Sequence, residues 1–287
     1  MTTWSRKGEE NVIHGASLPG WVEVGGDSRW IVPDEGRPFW MHKDLEAAVM
    51  PFEGITLVGS VGLYGRDSHS EFRRTYLKVQ PIENVYFRFG RFIPAYGVNF
   101  PDHTLPTRFG LGLGQGSETY NAEAALVTKW GEVLVSGVYG KRASVVGTDG
   151  DGFVVVSGER SGGTVRSAFY LGDRTQVGFS LLKLGEQTAL GAHVITAADE
   201  SLYFLAEYDR NFEFGEATDL AVAKLGWEYY RGVHFGPTLD RNGDLYGFGI
   251  FSSWFPRPHF ELLAQAKRSF SQGEASNSGA LMFHYFL

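Results

Sequence analysis

From residue 20 onward the chain repeats one unit, about ten residues of alternating apolar and polar character followed by a cluster of turn residues. Side chains point to opposite faces along an extended strand, so each unit reads as a strand with one apolar and one polar face. Sixteen such units can be drawn, over residues 20–25, 44–50, 55–64, 71–80, 84–92, 118–129, 132–140, 164–171, 175–183, 188–196, 202–209, 219–229, 232–239, 245–254, 259–268 and 279–287. In the third, Ile55, Leu57, Val61 and Leu63 alternate with Thr56, Ser60 and Tyr64. Val177, Phe179 and Leu181 oppose Gln176, Gly178 and Ser180 in the ninth, and Phe260, Leu262, Ala264 and Ala266 oppose Glu261, Gln265 and Lys267 in the fifteenth. Periodicity alone fits two architectures: a soluble sandwich with its polar face outside, or a barrel with its polar face lining a lumen.

Two further features, together with the regular spacing of the segments, choose the barrel. The connections after even-numbered segments are short (51–53, 81–83, 130–131, 172–174, 197–199, 230–231, 255–258), whereas those after odd ones are mostly longer (26–43, 65–70, 93–117, 141–163, 210–218, 269–278). Two odd connections, 184–187 and 240–244, depart from that rule; the latter, Asp240-Arg241-Asn242-Gly243-Asp244, lacks the distal Glu of a calcium loop and reads as a hairpin turn. Short turns on one rim and long loops on the other match a membrane barrel with both termini on the periplasmic side. The last segment places Leu281, Phe283, Tyr285 and Leu287 on one face. A soluble protein gains little from an apolar edge strand, but a barrel must close its last strand on its first and meet lipid outside.

Composition agrees. The hydrophobic fraction is 43% with no apolar run of the roughly 18 residues a spanning helix needs. Cysteine is absent, which excludes disulfides, thiolate metal sites and covalent haem attachment, and the net charge of −7 gives no support to nucleic-acid binding. The expectation is an all-β fold: a single antiparallel transmembrane β-barrel of about 16 strands over residues 20–287, preceded by a polar N-terminal segment, 1–19. Met1-Thr2-Thr3-Trp4-Ser5-Arg6-Lys7 lacks the apolar core of a secretory signal, so a bacterial outer-membrane destination implies a leader already removed.

The longest well-marked connection, 93–117, combines stiffening prolines with glycines that permit close packing on a wall. Its position between the fifth and sixth segments resembles the third outer loop of sixteen-stranded general porins. Gly90-Arg91-Phe92-Ile93-Pro94 and Trp254-Phe255-Pro256-Arg257-Pro258-His259 also look like porin-type proteins of Gram-negative bacteria. The ending resembles the C-terminal strand that the outer-membrane assembly machinery reads as a signal. The resemblance implies a loop folded into the lumen, with acidic residues facing a ladder of basic wall residues. Carried over, it implies a basic patch of Arg66, Arg74, Lys78 and Arg88, acidic wall residues Glu23, Asp44, Glu46, Glu123, Glu207 and Asp209, and loop residues Asp102, His103 and Arg108 at the constriction. Adjacent residues in an extended segment point apart, so Asp102-His103 is no catalytic dyad. Gly110-Leu111-Gly112-Leu113-Gly114-Gln115-Gly116 is not followed by the Lys-Ser/Thr of a phosphate loop. His193, His234 and His284 share the lumen parity but lie on non-neighbouring strands, so no metal site is expected.

These features point to a non-enzymatic channel for passive diffusion of small hydrophilic solutes or ions, without a cofactor. Its partners would be outer-membrane lipid and the barrel assembly machinery, with a homo-oligomer or a periplasmic protein as further candidates. The alternative is a barrel that sheathes a partner such as a multihaem cytochrome, as in porin–cytochrome conduits. A hydrolase would need Ser, His and an acidic residue converging on the rim, and no such set stands at a recognisable spacing.

Overall fold

The computed structural model describes residues 20–64, 69–98, 105–114, 117–146, 154–159 and 161–286. Arg66, Asp102, His103 and Leu287, named above, lie outside the described residues. Among the described residues eighteen strands form: β1 (Val22–Pro33), β2 (Phe39–Phe52), β3 (Ile55–Tyr64), β4 (His69–Ile82), β5 (Val85–Phe92), β6 (Thr119–Thr128), β7 (Gly131–Tyr139), β8 (Lys141–Val146), β9 (Val154–Glu159), β10 (Gly162–Leu171), β11 (Thr175–Leu184), β12 (Gln187–Ala197), β13 (Leu202–Glu213), β14 (Glu216–Tyr230), β15 (Val233–Asn242), β16 (Leu245–Arg257), β17 (Phe260–Ser271) and β18 (Glu274–Phe286). Sixteen of them, β1–β7 and β10–β18, pair in chain order, β7 with β10 and β18 back onto β1, into one closed antiparallel barrel, and β8 and β9 form a separate two-stranded hairpin between β7 and β10.

The closing seam is the pairing of β18 with β1, from Asp27 opposite Phe286 to Pro33 opposite Ala280. Without it both strands would present unpaired backbone groups, a cost of several kcal/mol per group in hydrocarbon, of order that for an unsatisfied buried amide. Outside the seam, Trp30 and Phe283 face each other with ring centroids 5.2 Å apart. Leu281, Phe283 and Tyr285 are all exposed on the exterior.

Alternation sorts each strand into a polar lumen and an apolar exterior. In β6, Thr119, Asn121 and Glu123 are buried toward the lumen, while Tyr120 and Leu126 stand outside. In β16, Tyr246, Phe248, Ile250 and Trp254 are outside, while Gly247, Gly249, Phe251 and Ser253 turn in. An exterior of this composition is stable against lipid and not against water. Exposed aromatics gather at both rims, Trp21, Phe52, Trp130, Tyr229 and Tyr230 at the tight-turn rim and Trp40, Tyr120, Tyr139 and Phe214 at the other, the girdles that membrane interfaces favour.

The rims differ from the sequence reading in four places. The segment at 20–25 does not stop at Gly25: β1 continues to Pro33, because β2 and β18 supply ladder partners on both sides of the turn-like run Gly25-Gly26-Asp27-Ser28. The expected loop 26–43 shrinks to 34–38. The connections expected at 210–218 and 269–278 are the two-residue turns Phe214-Gly215 and Gln272-Gly273, the flanking strands having extended to meet them. The region 141–163, read as loop, holds the β8–β9 hairpin.

Candidate functional site

The connection from β5 to β6 turns into the barrel and lies on the inner wall made by β7 and β10–β14, carrying a single helical turn, α1 (Pro106–Phe109). Its first stretch is held by polar contacts. The Tyr96 hydroxyl donates to Asp209 Oδ1 at 2.9 Å, the Gly97 N–H to Ser180 Oγ at 2.8 Å and the Val98 N–H to Glu207 Oε2 at 3.1 Å. Arg166 Nε donates to the Gly97 carbonyl at 2.6 Å, and the Arg108 guanidinium to the Val98 carbonyl. Burial, reinforced by the charges of Asp209 and Glu207, pushes the Tyr96 hydroxyl far above the ordinary tyrosine range, so the phenol remains a donor. Burial also pulls the Arg108 guanidinium down from its usual value, against the opposing pull of Glu207 and Asp209.

Gly97 is required here. Its φ of 52° is left-handed, and a Cβ would sit 1.7 Å from Glu207 Oε1. The wall answers with Gly191, where a Cβ would come within 2.1 Å of Asp209 Oδ1 and 2.8 Å of the Tyr96 hydroxyl.

An apolar seat adjoins the polar one. Tyr96, Leu111 and Leu113 of the loop pack with Val138 (β7), Leu182 and Leu184 (β11), Ala189 (β12) and Leu220 (β14). Val98 and Leu105 pack with Leu205 (β13), Val222 (β14) and Ile195 (β12). Burying a leucine side chain is worth about 1.5–3 kcal/mol, and Leu111 and Leu182 are fully enclosed. These wall residues occupy lumen parity, where water would otherwise wet them. Their apolar character is explained by the loop that covers them.

Across the lumen the wall is charged. A bulge in β4 leaves Ser60 facing two consecutive arginines, and the Arg74 N–H donates to Ser60 Oγ at 3.0 Å. Arg73 is enclosed between Asp44 (2.6 Å) and Glu118 (2.6 Å), which ties β2 to the far end of the loop. Arg74 lies 3.0 Å from Glu46 and 3.7 Å from Asp44. Arg88 reaches Glu123 at 2.6 Å, and Ser136 donates to the same carboxylate at 2.9 Å. The Lys78 ammonium lies over the Tyr86 ring, 5.1 Å from its centroid.

The structure therefore gathers Arg74, Lys78, Arg88, Asp44, Glu46 and Glu123 on one stretch of wall, but as alternating pairs and not as an open basic ladder. Glu207 and Asp209 are separated from that stretch; they lie under the loop, 3% and 0% exposed, as its anchors. Arg108 faces the same seat and not the open lumen. Glu23 is exposed near the tight-turn rim, opposite Ala48.

Sequence reasoning did not single out Arg73, Tyr96 or Arg166, nor the apolar patch on β11–β14. The patch had a signal: Leu182 and Leu184 on β11 and Leu220 and Val222 on β14 break the polar-in rule. Arg73 had none, because only the bulge turns it inward beside Arg74. Farther round, Lys267 donates to Asp240 at 2.7 Å, Lys224 covers the Phe251 ring at 3.8 Å, and His284 bridges Glu261 (3.0 Å) and Asp27 (3.3 Å) at the seam.

No family model and no curated protein matches the chain in sequence. Solved structures do match in fold. The outer membrane channel DcaP of Acinetobacter baumannii aligns with a TM-score of 0.58 at 10% identity, over 93% of this chain and 97% of that one. A substituted form of the Rhodopseudomonas blastica porin aligns with a TM-score of 0.64 at 6% identity, over 93% of this chain and all of that one. Another form of the same porin reaches 0.65 at 6% identity, with the same 93% of this chain covered. With a closed barrel of sixteen strands and its fifth-to-sixth connection folded inward, this chain has a porin-like transmembrane β-barrel fold.

Proposed function

We propose that the chain is a bacterial outer-membrane channel for passive diffusion of small hydrophilic solutes or ions, narrowed by the loop between β5 and β6. The observation that carries this reading is the loop's double seat, polar and apolar, on the wall of β10–β14. A segment held that firmly reduces the lumen without depending on a bound partner to stay inside. Beside α1, a cavity of about 250 Å³ next to Leu105 and Pro106 is lined by Lys224, Asp240, Phe251, Gln265 and Lys267 of the adjoining wall, and the remaining passage runs past it.

Most lumen charges stand in close opposite pairs. Paired charges present local dipoles to a passing solute more than a net field, so they replace hydration without strongly preferring one sign. The expected channel is weakly selective. The start of β1 and the end of β18, both at the tight-turn rim, support an orientation with that rim toward the periplasm and the connection 34–38 and the β8–β9 hairpin outside.

Purified protein in a planar bilayer tests the reading, with a heat-modifiability gel reporting the folded barrel. Discrete conductance steps are expected. A folded barrel that passes no current would overturn the channel and favour a sheath around a partner such as a multihaem cytochrome.

A further inference from the structure

The exterior carries an arrangement that diffusion through the lumen does not use. Near the outer rim, β13, β15 and β17 each turn an arginine away from the lumen, against an aromatic ring on the same face. Arg210 lies over Phe212 (5.7 Å), Arg241 over Tyr246 (5.1 Å) and Arg268 over Phe270 (5.4 Å). The ladder joins them: Arg210 pairs with Asp219, Arg241 with Tyr246, Tyr246 with Phe270, and Arg268 with Phe248. Asp219 receives Arg210 at 2.5 Å, the Tyr208 hydroxyl at 2.8 Å and Arg241 at 3.1 Å. Two of the three outward guanidinium groups, Arg210 and Arg241, thus share one outward carboxylate, with Arg268 beside them on the same face.

Toward the membrane midplane, Ala192, Ala206, Ala221 and Ala223 leave the same face hollow between Leu239 and Phe248. The concavity is about 760 Å³ and runs up to Arg241, Tyr246 and Phe270. Small residues on adjacent strands let an apolar chain approach the backbone closely. A cation on the outside of a barrel is tolerated at the interface and costly at the midplane, so these side chains sit at headgroup depth. Guanidinium groups bind phosphate bidentately and are less hydrated than ammonium, and stacking on a ring holds the fork in place. An isologous contact with a second copy would instead set like charges against each other.

We propose that this face of β12–β17 is a site for a phosphate-bearing, acylated lipid of the outer leaflet. Phosphate meets Arg210, Arg241 and Arg268, and an acyl chain fills the alanine hollow. The site rests on the outer-membrane orientation given above and is independent of whether the lumen conducts.

The test is native mass spectrometry of the full chain, folded in detergent and titrated with bis-phosphorylated lipid A or the same lipid stripped of its phosphates. Wild type should retain the phosphorylated form at least tenfold better. Arg268→Gln, which disturbs no ion pair of Asp219, should weaken retention several-fold, and R210Q/R241Q/R268Q should abolish the preference. Ala221→Leu, which fills the hollow, should weaken retention of both lipids. Heat modifiability and conductance, measured on each variant, should stay at the wild-type level, so failure of the channel reading would appear in wild type and failure of the lipid site only in the lipid titration. Equal retention of the two lipids, or a triple variant that binds as wild type does, would overturn the proposal. So would loss of an oligomer in the triple variant with lipid retention unchanged, which would assign the face to a second copy.

Discussion

The two halves of the barrel are built differently. From β10 to β18 every connection on either rim is a turn of two to four residues, and the wall is a regular series of hairpins. From β1 to β7 the tight-turn rim is equally economical, but the other rim carries the connections 34–38, 65–68 and 93–118, with the β8–β9 hairpin joining this half to the next. The irregular half supplies the inward-folded loop and the regular half supplies its seat. Glu207, Asp209, Leu182 and Leu220 hold a loop whose own strands lie elsewhere in the wall. Regularity in the second half is what allows a mobile-length connection in the first to be fixed.

The largest expected effect breaks the seam that joins the halves. Phe283→Asp together with Tyr285→Asp puts two charges on the lipid face at the closing strand, each costing up to about 2–4 kcal/mol at depth and less near the interface. Folded, heat-modifiable barrels should disappear from the membrane fraction. Next is the seat itself. Gly97→Leu drives a side chain into Glu207, so the loop should detach and single-channel conductance should rise several-fold; an unchanged current would place the constriction elsewhere. By contrast, a two-residue Gly-Ser insertion between Phe214 and Gly215 in the regular half should leave conductance alone, since lengthening a surface turn costs well under about 1 kcal/mol.

Leu182→Ala should cost about 2–5 kcal/mol of docking and appear as flickering between the normal level and a larger one. A smaller effect is expected from Arg74→Glu with Arg88→Glu. Both arginines are paired with carboxylates, so the reversal potential should move toward cations by a few millivolts, on the order of a weakly selective pore. The smallest involves the turn before β13, where the Asp199 carboxylate accepts from the Ser201 hydroxyl and from the N–H groups of Ser201 and Leu202. Those bonds hold its pKa below the ordinary aspartate value. The turn's contribution is thus present above that ordinary value and lost as pH falls through the depressed one. Unfolding scans below about pH 4 should separate wild type from Asp199→Asn only slightly.

Much of this was legible in the residues. Sixteen alternating segments and their tight turns correspond to the sixteen barrel strands, because a strand buried on one face must keep its period or lose its register. Gly25-Gly26-Asp27-Ser28 hid the continuation of β1: local composition proposes a turn, while ladders on both sides supply a reason to stay extended. The hairpin β8–β9 was hidden for a related reason, since it lies outside the barrel wall and owes that wall no alternation. At the site, pairing with carboxylates was not visible in Arg74 or Arg88 alone, because register decides which acid stands opposite. Arg73 stayed hidden behind a bulge that has no sequence period.

The loop is anchored far from where it begins. Tyr96 and Val98 reach carboxylates 113 and 109 positions later in the chain. During assembly the connection between β5 and β6 must therefore wait, unseated, until β13 has been laid down. Local hairpins form early and long-range contacts late, so the pore should pass through a wide stage and narrow only as the second half arrives. Docking of the loop is then a record of how far assembly has gone: a barrel whose loop is seated is one in which β13 is already in place.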